Sequence, residues 1–295
     1  MNISKSIDIL LWPLIAVLIY FVCQVLGQFV VQTIGFFSSE NGSDLLSLGN
    51  VAGWASLLSA VVTVVAMSLV RGFHLRRSFG MPRCSRGNVG VAFLAVLLTL
   101  FCFTIFNDLL ESQLGWRLPP EYEALYRDMM SKPVGVLAAC LFVPICEEVV
   151  FRAGIMNPLL RHGVNPWIPI ALSALIFGVF HGNLVQVAYA VPAGFVFAIV
   201  YYLTGSLLIS IFCHVLNNTV MVALMLTVDD LESFRVDGVI GVIPSLVVVL
   251  ILMALIVYLL RGLWRNTSYE AKLFFLAPDT AVNSDEKMVS PSPRV

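Results

Sequence analysis

Charged residues are scarce in this sequence of 295 residues. Lys, Arg, Asp and Glu make up 12% of it, whereas 59% is hydrophobic; in a soluble domain about a quarter of the residues are charged. The net charge of -1 provides no basic excess that would neutralise phosphates, so we expect no nucleic-acid partner. A soluble fold of this length cannot bury so much apolar surface, which indicates that the lipid bilayer is the solvent.

The sequence also lacks the patterns of a disulfide framework, a zinc knuckle and a phosphate-binding loop. Its six cysteines fall mostly inside apolar runs, without a CxxC pair, and we interpret them as small buried hydrophobic residues. No Gly-rich phosphate loop occurs, so we expect no organic cofactor.

What the sequence has instead is a series of long apolar runs. A helix needs roughly 20 apolar residues to cross the hydrocarbon core, and unpaired backbone groups are too costly in lipid for an open structure. The runs predict an all-α, polytopic membrane protein with about eight transmembrane helices. Their approximate limits are 9–34, 51–70, 88–110, 133–160, 167–183, 184–203, 206–227 and 238–261.

The distribution of arginine predicts the orientation of these helices. The loop at 71–86 contains five arginines, whereas the preceding loop, around Glu40 and Asp44, contains no basic residue. Since Lys and Arg favour the cytoplasmic side, we predict a multi-pass protein of the cell membrane with a cytoplasmic basic loop and both termini cytoplasmic. A transmembrane domain at 1–267 is then followed by a polar, disordered cytoplasmic tail at 268–295.

Strongly polar residues are concentrated in the apolar segment between Pro133 and Val228. A charge at mid-bilayer costs about 2.5–3.5 kcal/mol even on insertion scales, so such residues are expected to be functional or mutually paired. They occur in three patterns, CEEVVFR at 146–152, FGVFH at 177–181 and HVLNN at 214–218. The residues concerned are Glu147, Glu148, Arg152, His181, His214, Asn217 and Asn218.

Four of these residues are predicted to lie at similar depth. A rise of 1.5 Å per residue puts Glu147 at about 22 Å, His181 at about 21 Å, and His214 and Asn218 at about 14 and 20 Å from the predicted cytoplasmic ends of their helices. His214 and Asn218 are spaced i, i+4 and share one helix face. We therefore expect three helices to bring these side chains together.

The chemistry of this set suits hydrolysis. A carboxylate beside an imidazole can remove a proton from water, so Glu147 is the candidate general base and His181 helps to hold the water. An imidazole and a carboxamide can donate hydrogen bonds to the oxyanion that forms when water attacks a peptide carbonyl. His214 and Asn218 are the candidates for that role. Asn217 faces another direction on the helix and is interpreted as a packing residue.

Glu148 and Arg152 have the i, i+4 spacing of an intrahelical ion pair. We predict that Arg152 supports the site by neutralising Glu148 and fixing the helix. The pair does not account for Glu147, because one arginine cannot neutralise two adjacent carboxylates that point about 100° apart.

A catalytic zinc ion is an alternative to this scheme. Glu147, His181 and His214 offer two imidazoles and a carboxylate, which can hold zinc with an open position. The HExxH spacing is absent, however, and an Asn beside the second His suits an oxyanion better. We favour a metal-independent mechanism without a cofactor and keep zinc as the alternative.

The motifs EExxxR, FxxxH and HxxxN, in this order, resemble the CAAX protease and bacteriocin-processing family, also called the Abi family. They are present as Glu147–Arg152, Phe177–His181 and His214–Asn218, within a core of about 130–225. The resemblance implies an intramembrane endopeptidase in which the first Glu and His activate water and the second His and the Asn form the oxyanion hole. It also implies a prenylated peptide, a leader or bacteriocin-type peptide, or a membrane protein as substrate.

Two other functions use the same polar cluster. A proton-coupled transporter would relay protons through the Glu and His residues, and a non-catalytic immunity or scaffold protein would bind a peptide there. The sequence favours the protease and leaves the substrate and the oligomeric state open.

Overall fold

The computed structural model describes residues 3–38, 47–73, 75–80, 84–227 and 239–276, and within these ranges the chain is helical with no strand. The predicted all-α fold is confirmed. The acidic loop around Glu40 and Asp44 lies outside the described residues. The helices are α1 (Ile3–Ser38), α2 (Leu48–Leu69), α3 (Leu75–Ser78), α4 (Arg86–Leu114), α5 (Pro120–Met130), α6 (Pro133–Arg161), α7 (Trp167–Val179), α8 (Leu184–Thr204), α9 (Leu207–Thr227) and α10 (Val239–Leu276).

Among the described residues, seven helices are long and apolar enough to cross a membrane, and the protein is a multi-pass integral membrane protein. The exception among the eight predicted spans is α7. Its 13 residues rise only about 20 Å, less than the roughly 30 Å of the hydrocarbon core. The prediction of a span at 167–183 was too long, because the residues after Val179 form a turn in which Gly182 has a φ of 76°. Apolar composition alone does not reveal this end.

The basic loop packs into one end of the bundle. Trp12 of α1 contacts Phe73 edge-on with 5.8 Å between ring centroids, and Asn157 Nδ2 of α6 donates to the Phe73 carbonyl at 3.2 Å. Ser206 donates to the Gly80 carbonyl at 2.8 Å. The start of α1 and the corner between α8 and α9 therefore meet at this end. Its cytoplasmic orientation stays a prediction.

The last turns of α10 lie at the same end. The Arg77 guanidinium sits 4.7 Å from the Phe274 ring centroid, and Phe275 stacks on Tyr202 with 5.7 Å between centroids. These contacts hold α10 in helical form to Leu276, so the predicted start of a disordered tail at 268 was too early. The four apolar residues at 273–276 belong to the helix, although the segment from 268 onward is polar on average. Residues 277–295 lie outside the described part.

The helix that bears the first motif is irregular. In α6, the wider π-helical form occupies Ala138–Phe142 and Val149–Met156, on either side of the α-helical turn Val143–Glu148. The Val143 N–H bonds to the Ala138 carbonyl, five residues back. Pro144 follows and has no N–H to donate. Departures of this kind are frequent at functional sites, and here they frame the two glutamates.

Candidate active site

Glu148 lies at the centre of a buried polar cluster. Its carboxylate forms an ion pair with Arg152 Nε at 3.1 Å, as the i, i+4 spacing predicts, and both side chains have no exposed surface. Arg152 also donates to Ser173 Oγ at 3.0 Å and to the Gly194 carbonyl at 3.2 Å. Further hydrogen bonds offset part of the cost of burying an ion pair, and those of Arg152 tie α6 to α7 and α8.

His214 of α9 lies between the two glutamates. Its Nδ1 is 2.9 Å from Glu148 Oε1, and its Nε2 is 3.6 Å from Glu147 Oε2. Phe197 stacks on the imidazole with 4.6 Å between ring centroids. A carboxylate only accepts hydrogen bonds, so Nδ1 carries a proton and the ring orientation is fixed. Glu147 Oε2 and Nε2 then face each other at 3.6 Å, slightly beyond hydrogen-bond distance.

His181 follows the end of α7 and is half-buried. Its Nδ1 lies 3.0 Å from the Phe177 carbonyl. Since a carbonyl cannot donate, the proton is on Nδ1, and Nε2 presents a lone pair to a water. The Phe177 ring contacts His181 with 5.0 Å between centroids and His214 with 5.6 Å. The two imidazoles thus share one aromatic neighbour, whereas no hydrogen bond or ion pair joins His181 to Glu147 or Glu148 within the described chain.

Asn218 is bound to α6. Its Nδ2 donates to the Ala139 carbonyl at 3.0 Å, and its Oδ1 accepts from Asn217 Nδ2 at 3.2 Å. Asn217 Oδ1 in turn accepts from the Tyr189 hydroxyl at 2.6 Å. The predicted oxyanion donor therefore has one N–H engaged with the backbone and a second N–H left for another acceptor.

Sequence reasoning missed several of the residues that contact the site. The Tyr20 hydroxyl of α1 donates to Glu147 Oε1 at 3.4 Å, and Ser210 donates to Glu148 Oε2. Asn217, interpreted from sequence as a packing residue, is hydrogen-bonded to Asn218 and only 4% exposed. Ser210 and Asn217 are spaced i−4 and i+3 from His214, so the shared helix face was a signal for both. Tyr20 belongs to a helix without a motif and carries no such signal.

The alternative of a catalytic zinc ion requires Glu147, His181 and His214 to lie close together as ligands. In the part of the chain that the structure describes, no three His, Cys, Asp or Glu side chains are grouped so that they could hold a metal ion. Glu147 and His214 approach each other, and His181 is the member of the predicted ligand set that does not join them.

The motif-bearing part of the sequence matches a known protein family. Residues 130–220, which contain all three motifs, match the family described as type II CAAX prenyl endopeptidase Rce1-like. The predicted family is thereby confirmed for this segment. It covers the helices that carry Glu147, His181 and His214 and excludes α1, where Tyr20 lies.

A curated protein of Bacillus subtilis (strain 168) is also similar to this chain. It is described as "Putative membrane peptidase YdiL" and is 29% identical over 104 residues, which are 35% of this chain and 42% of that protein. The chain thus matches less than half of the length of that relative. No solved structure matches the chain significantly.

Proposed function

We propose that this protein is an intramembrane endopeptidase that hydrolyses a peptide bond with an activated water. Glu147 is the general base, His181 holds the water, and His214 and Asn218 donate hydrogen bonds to the oxyanion. The observation that supports this most directly is the buried approach of Glu147 Oε2 to His214 Nε2 at 3.6 Å, in a cluster built by α6, α7, α8 and α9.

The reaction follows from the proton positions. Glu147 takes a proton from a water that the Nε2 lone pair of His181 helps to orient, and the hydroxide attacks the carbonyl carbon. The C–O bond forms as the carbonyl π electrons move to its oxygen. His214 in its imidazolium form donates from Nε2 to that oxyanion, together with the second N–H of Asn218. The oxyanion electrons re-form the C=O bond as the C–N bond breaks, and Glu147 passes its proton to the leaving amine.

Glu148 and Arg152 assist without contact to the substrate. Nδ1 of His214 bonds to Glu148, so the negative carboxylate stabilises the imidazolium that must donate from Nε2. Arg152 balances the charge of Glu148 when His214 is neutral. Because Arg152 pairs with Glu148, Glu147 stays available as a base.

The proposed mechanism does not use a metal ion. It rests on the Asn218 carboxamide, which lies at position i+4 from His214 on α9 and suits an oxyanion better than a zinc ligand set. Metal analysis of the purified protein, with cleavage rates before and after chelation and zinc addition, tests this point. Stoichiometric zinc together with activity lost on chelation and restored by zinc would favour the alternative.

The proposed substrates are membrane-bound peptides: a prenylated C-terminal tail, a leader or bacteriocin-type peptide, or a segment of a membrane protein. Two observations support a peptide substrate. The family matched by residues 130–220 is named for a prenyl endopeptidase, and the curated relative is named as a membrane peptidase.

The decisive experiment compares Glu147→Gln with the wild type. We expect a precursor peptide to accumulate in membranes that contain the variant, and cleavage of that peptide by the purified protein in detergent to fall about 10²–10⁴-fold. The control is Glu123→Gln, since Glu123 is an exposed carboxylate paired with Arg127 on α5. Equal cleavage by both variants would contradict the proposal. Activity that requires a proton gradient would indicate a transporter, and function that survives Glu147→Gln would indicate a scaffold.

A further inference from the structure

We infer that Tyr189 and Asn217 are positioning residues that hold the Asn218 carboxamide in the orientation needed for oxyanion stabilisation. This inference rests on the proposed function. It concerns a hydrogen-bonded chain, Tyr189–Asn217–Asn218–Ala139, in which α8 and α9 reach the backbone of α6.

The chain begins at a carbonyl that α6 cannot satisfy by itself. In the π-helical register, Val143 N–H bonds to the Ala138 carbonyl, so the next donor, at position 144, would bond to Ala139. That residue is proline and has no N–H. Asn218 Nδ2 supplies the missing donor at 3.0 Å. The irregularity of α6 thus creates the acceptor that binds Asn218.

The Ala139 carbonyl sets the direction of every bond in the chain. It can only accept, so Asn218 must turn its Nδ2 toward it and its Oδ1 toward Asn217. Asn217 must then present Nδ2 to Asn218 and Oδ1 to Tyr189, whose hydroxyl must donate. Only one arrangement of the two carboxamides satisfies all three contacts.

Burial makes the reverse arrangement costly. Asn217 is 4% exposed, so water is scarce as a substitute partner. A flipped Asn218 would set its oxygen against the Ala139 carbonyl, two acceptors without a hydrogen between them. Without the Tyr189 hydroxyl, the buried Asn217 Oδ1 loses its hydrogen-bond partner, so Asn217 is no longer anchored and holds Asn218 Oδ1 less firmly.

The orientation of the Asn218 carboxamide affects the stability of the transition state. In the held orientation, the second N–H of Asn218 is available to the oxyanion, whereas a flipped or rotating carboxamide exposes an acceptor there or no fixed donor. The Tyr189 hydroxyl therefore acts through Asn217 on the chemical step. Substrate binding does not depend on it.

The test is a double-mutant cycle with Tyr189→Phe and Asn218→Ala, measured as cleavage in detergent. Asn218→Ala is expected to lower kcat about 10²-fold, since it removes an oxyanion donor. Tyr189→Phe is expected to lower kcat about tenfold with KM within about twofold, since it misplaces that donor. In the Asn218→Ala background, Tyr189→Phe is expected to have no further effect. Asn217→Asp, which cannot donate to Asn218, is expected to match Tyr189→Phe or exceed it.

The matched control is Tyr201→Phe. Tyr201 is also buried on α8, and its hydroxyl bonds to Ser78 at the far end of the helix, so kcat is expected to stay at the wild-type value. A tenfold loss from Tyr189→Phe in both backgrounds, or a change in KM alone, would overturn the inference. So would equal losses in Tyr189→Phe and Tyr201→Phe.

Thermal unfolding midpoints of the same proteins provide a readout that does not need cleavage. In the described part of the chain the hydrogen bonds link Tyr189 to Asn218 through Asn217, so non-additive midpoint shifts in the double variant would support the chain, and additive shifts would oppose it. If the wild type cleaves no peptide, the proposed function fails and the oxyanion role fails with it, whereas the midpoints still show whether the hydrogen-bonded chain couples Tyr189 to Asn218.

Discussion

The helices α6 and α10 are both long enough to span a bilayer, yet they differ in what surrounds them. Half of the most apolar window of α6 is buried inside the protein, against 11% for α10. The middle of α6 contains Glu147, Glu148 and Arg152, whereas α10 has no charged residue from Val239 to Leu260. The comparison shows that apolar length identifies a span, and that polar content distinguishes a helix enclosed by protein from one that faces lipid.

The same contrast holds for backbone geometry. In α6 the π-helical register together with Pro144 leaves the Ala139 carbonyl without a helical donor, and a side chain from α9 satisfies it. A helix surrounded by lipid has no neighbouring side chain to do so, since hydrocarbon offers no donor. Enclosure by protein therefore permits both the charges and the irregular backbone.

The largest expected effect comes from removing the cation of α6. Arg152→Met removes the guanidinium that neutralises the buried carboxylate of Glu148, which costs about 3–5 kcal/mol of stability. The measurement is the thermal unfolding midpoint in detergent. Arg265→Met in α10 is the control, since Arg265 is exposed and its replacement is expected to change stability by less than about 0.5 kcal/mol. Equal shifts in the two variants would remove the distinction between the helices.

An intermediate effect is expected at a close contact inside the motif-bearing core. A Cβ added at Gly178 would lie 2.2 Å from Val191 Cγ2 and 3.2 Å from the Val191 backbone nitrogen. Gly178→Ala must push α7 and α8 apart, at a cost of about 1–3 kcal/mol. At Gly262 in α10 an added Cβ meets nothing within 4 Å, so Gly262→Ala is expected to be neutral or slightly stabilising. Unfolding midpoints check both, and a loss at Gly262 as large as that at Gly178 would refute the contrast.

The smallest effect concerns a residue outside the motifs. Tyr20→Phe removes the hydroxyl that donates to Glu147 at 3.4 Å, and the length of this bond indicates a weak contact of about 1 kcal/mol. Cleavage is expected to slow about fivefold. Tyr258→Phe in α10 is the matched control, because Tyr258 is 73% exposed. A rate unchanged by Tyr20→Phe would show that α1 only packs beside the site.

Much of the fold was predictable because the bilayer imposes a length and a composition on each span. The i, i+4 rule likewise predicted the Glu148–Arg152 ion pair and the shared face of His214 and Asn218. The end of α7 was not predictable, since the residues on both sides of the break are apolar. Contacts between helices were also out of reach: the approach of Glu148 to His214 and of Tyr20 to Glu147 depends on how the helices cross, which no spacing within one helix specifies.

The turn after α7 lies at the end of a helix that is too short to cross the hydrocarbon core. Gly182 is exposed and Leu184 is 70% exposed, at the end of a helix about 10 Å shorter than the hydrocarbon is thick. Membranes adapt to a short segment by thinning, at a fraction of a kcal/mol per Å. We therefore expect headgroups and interfacial water to be drawn inward beside His181. Such a dimple would let a polar peptide group reach the imidazole without first being stripped of its hydration.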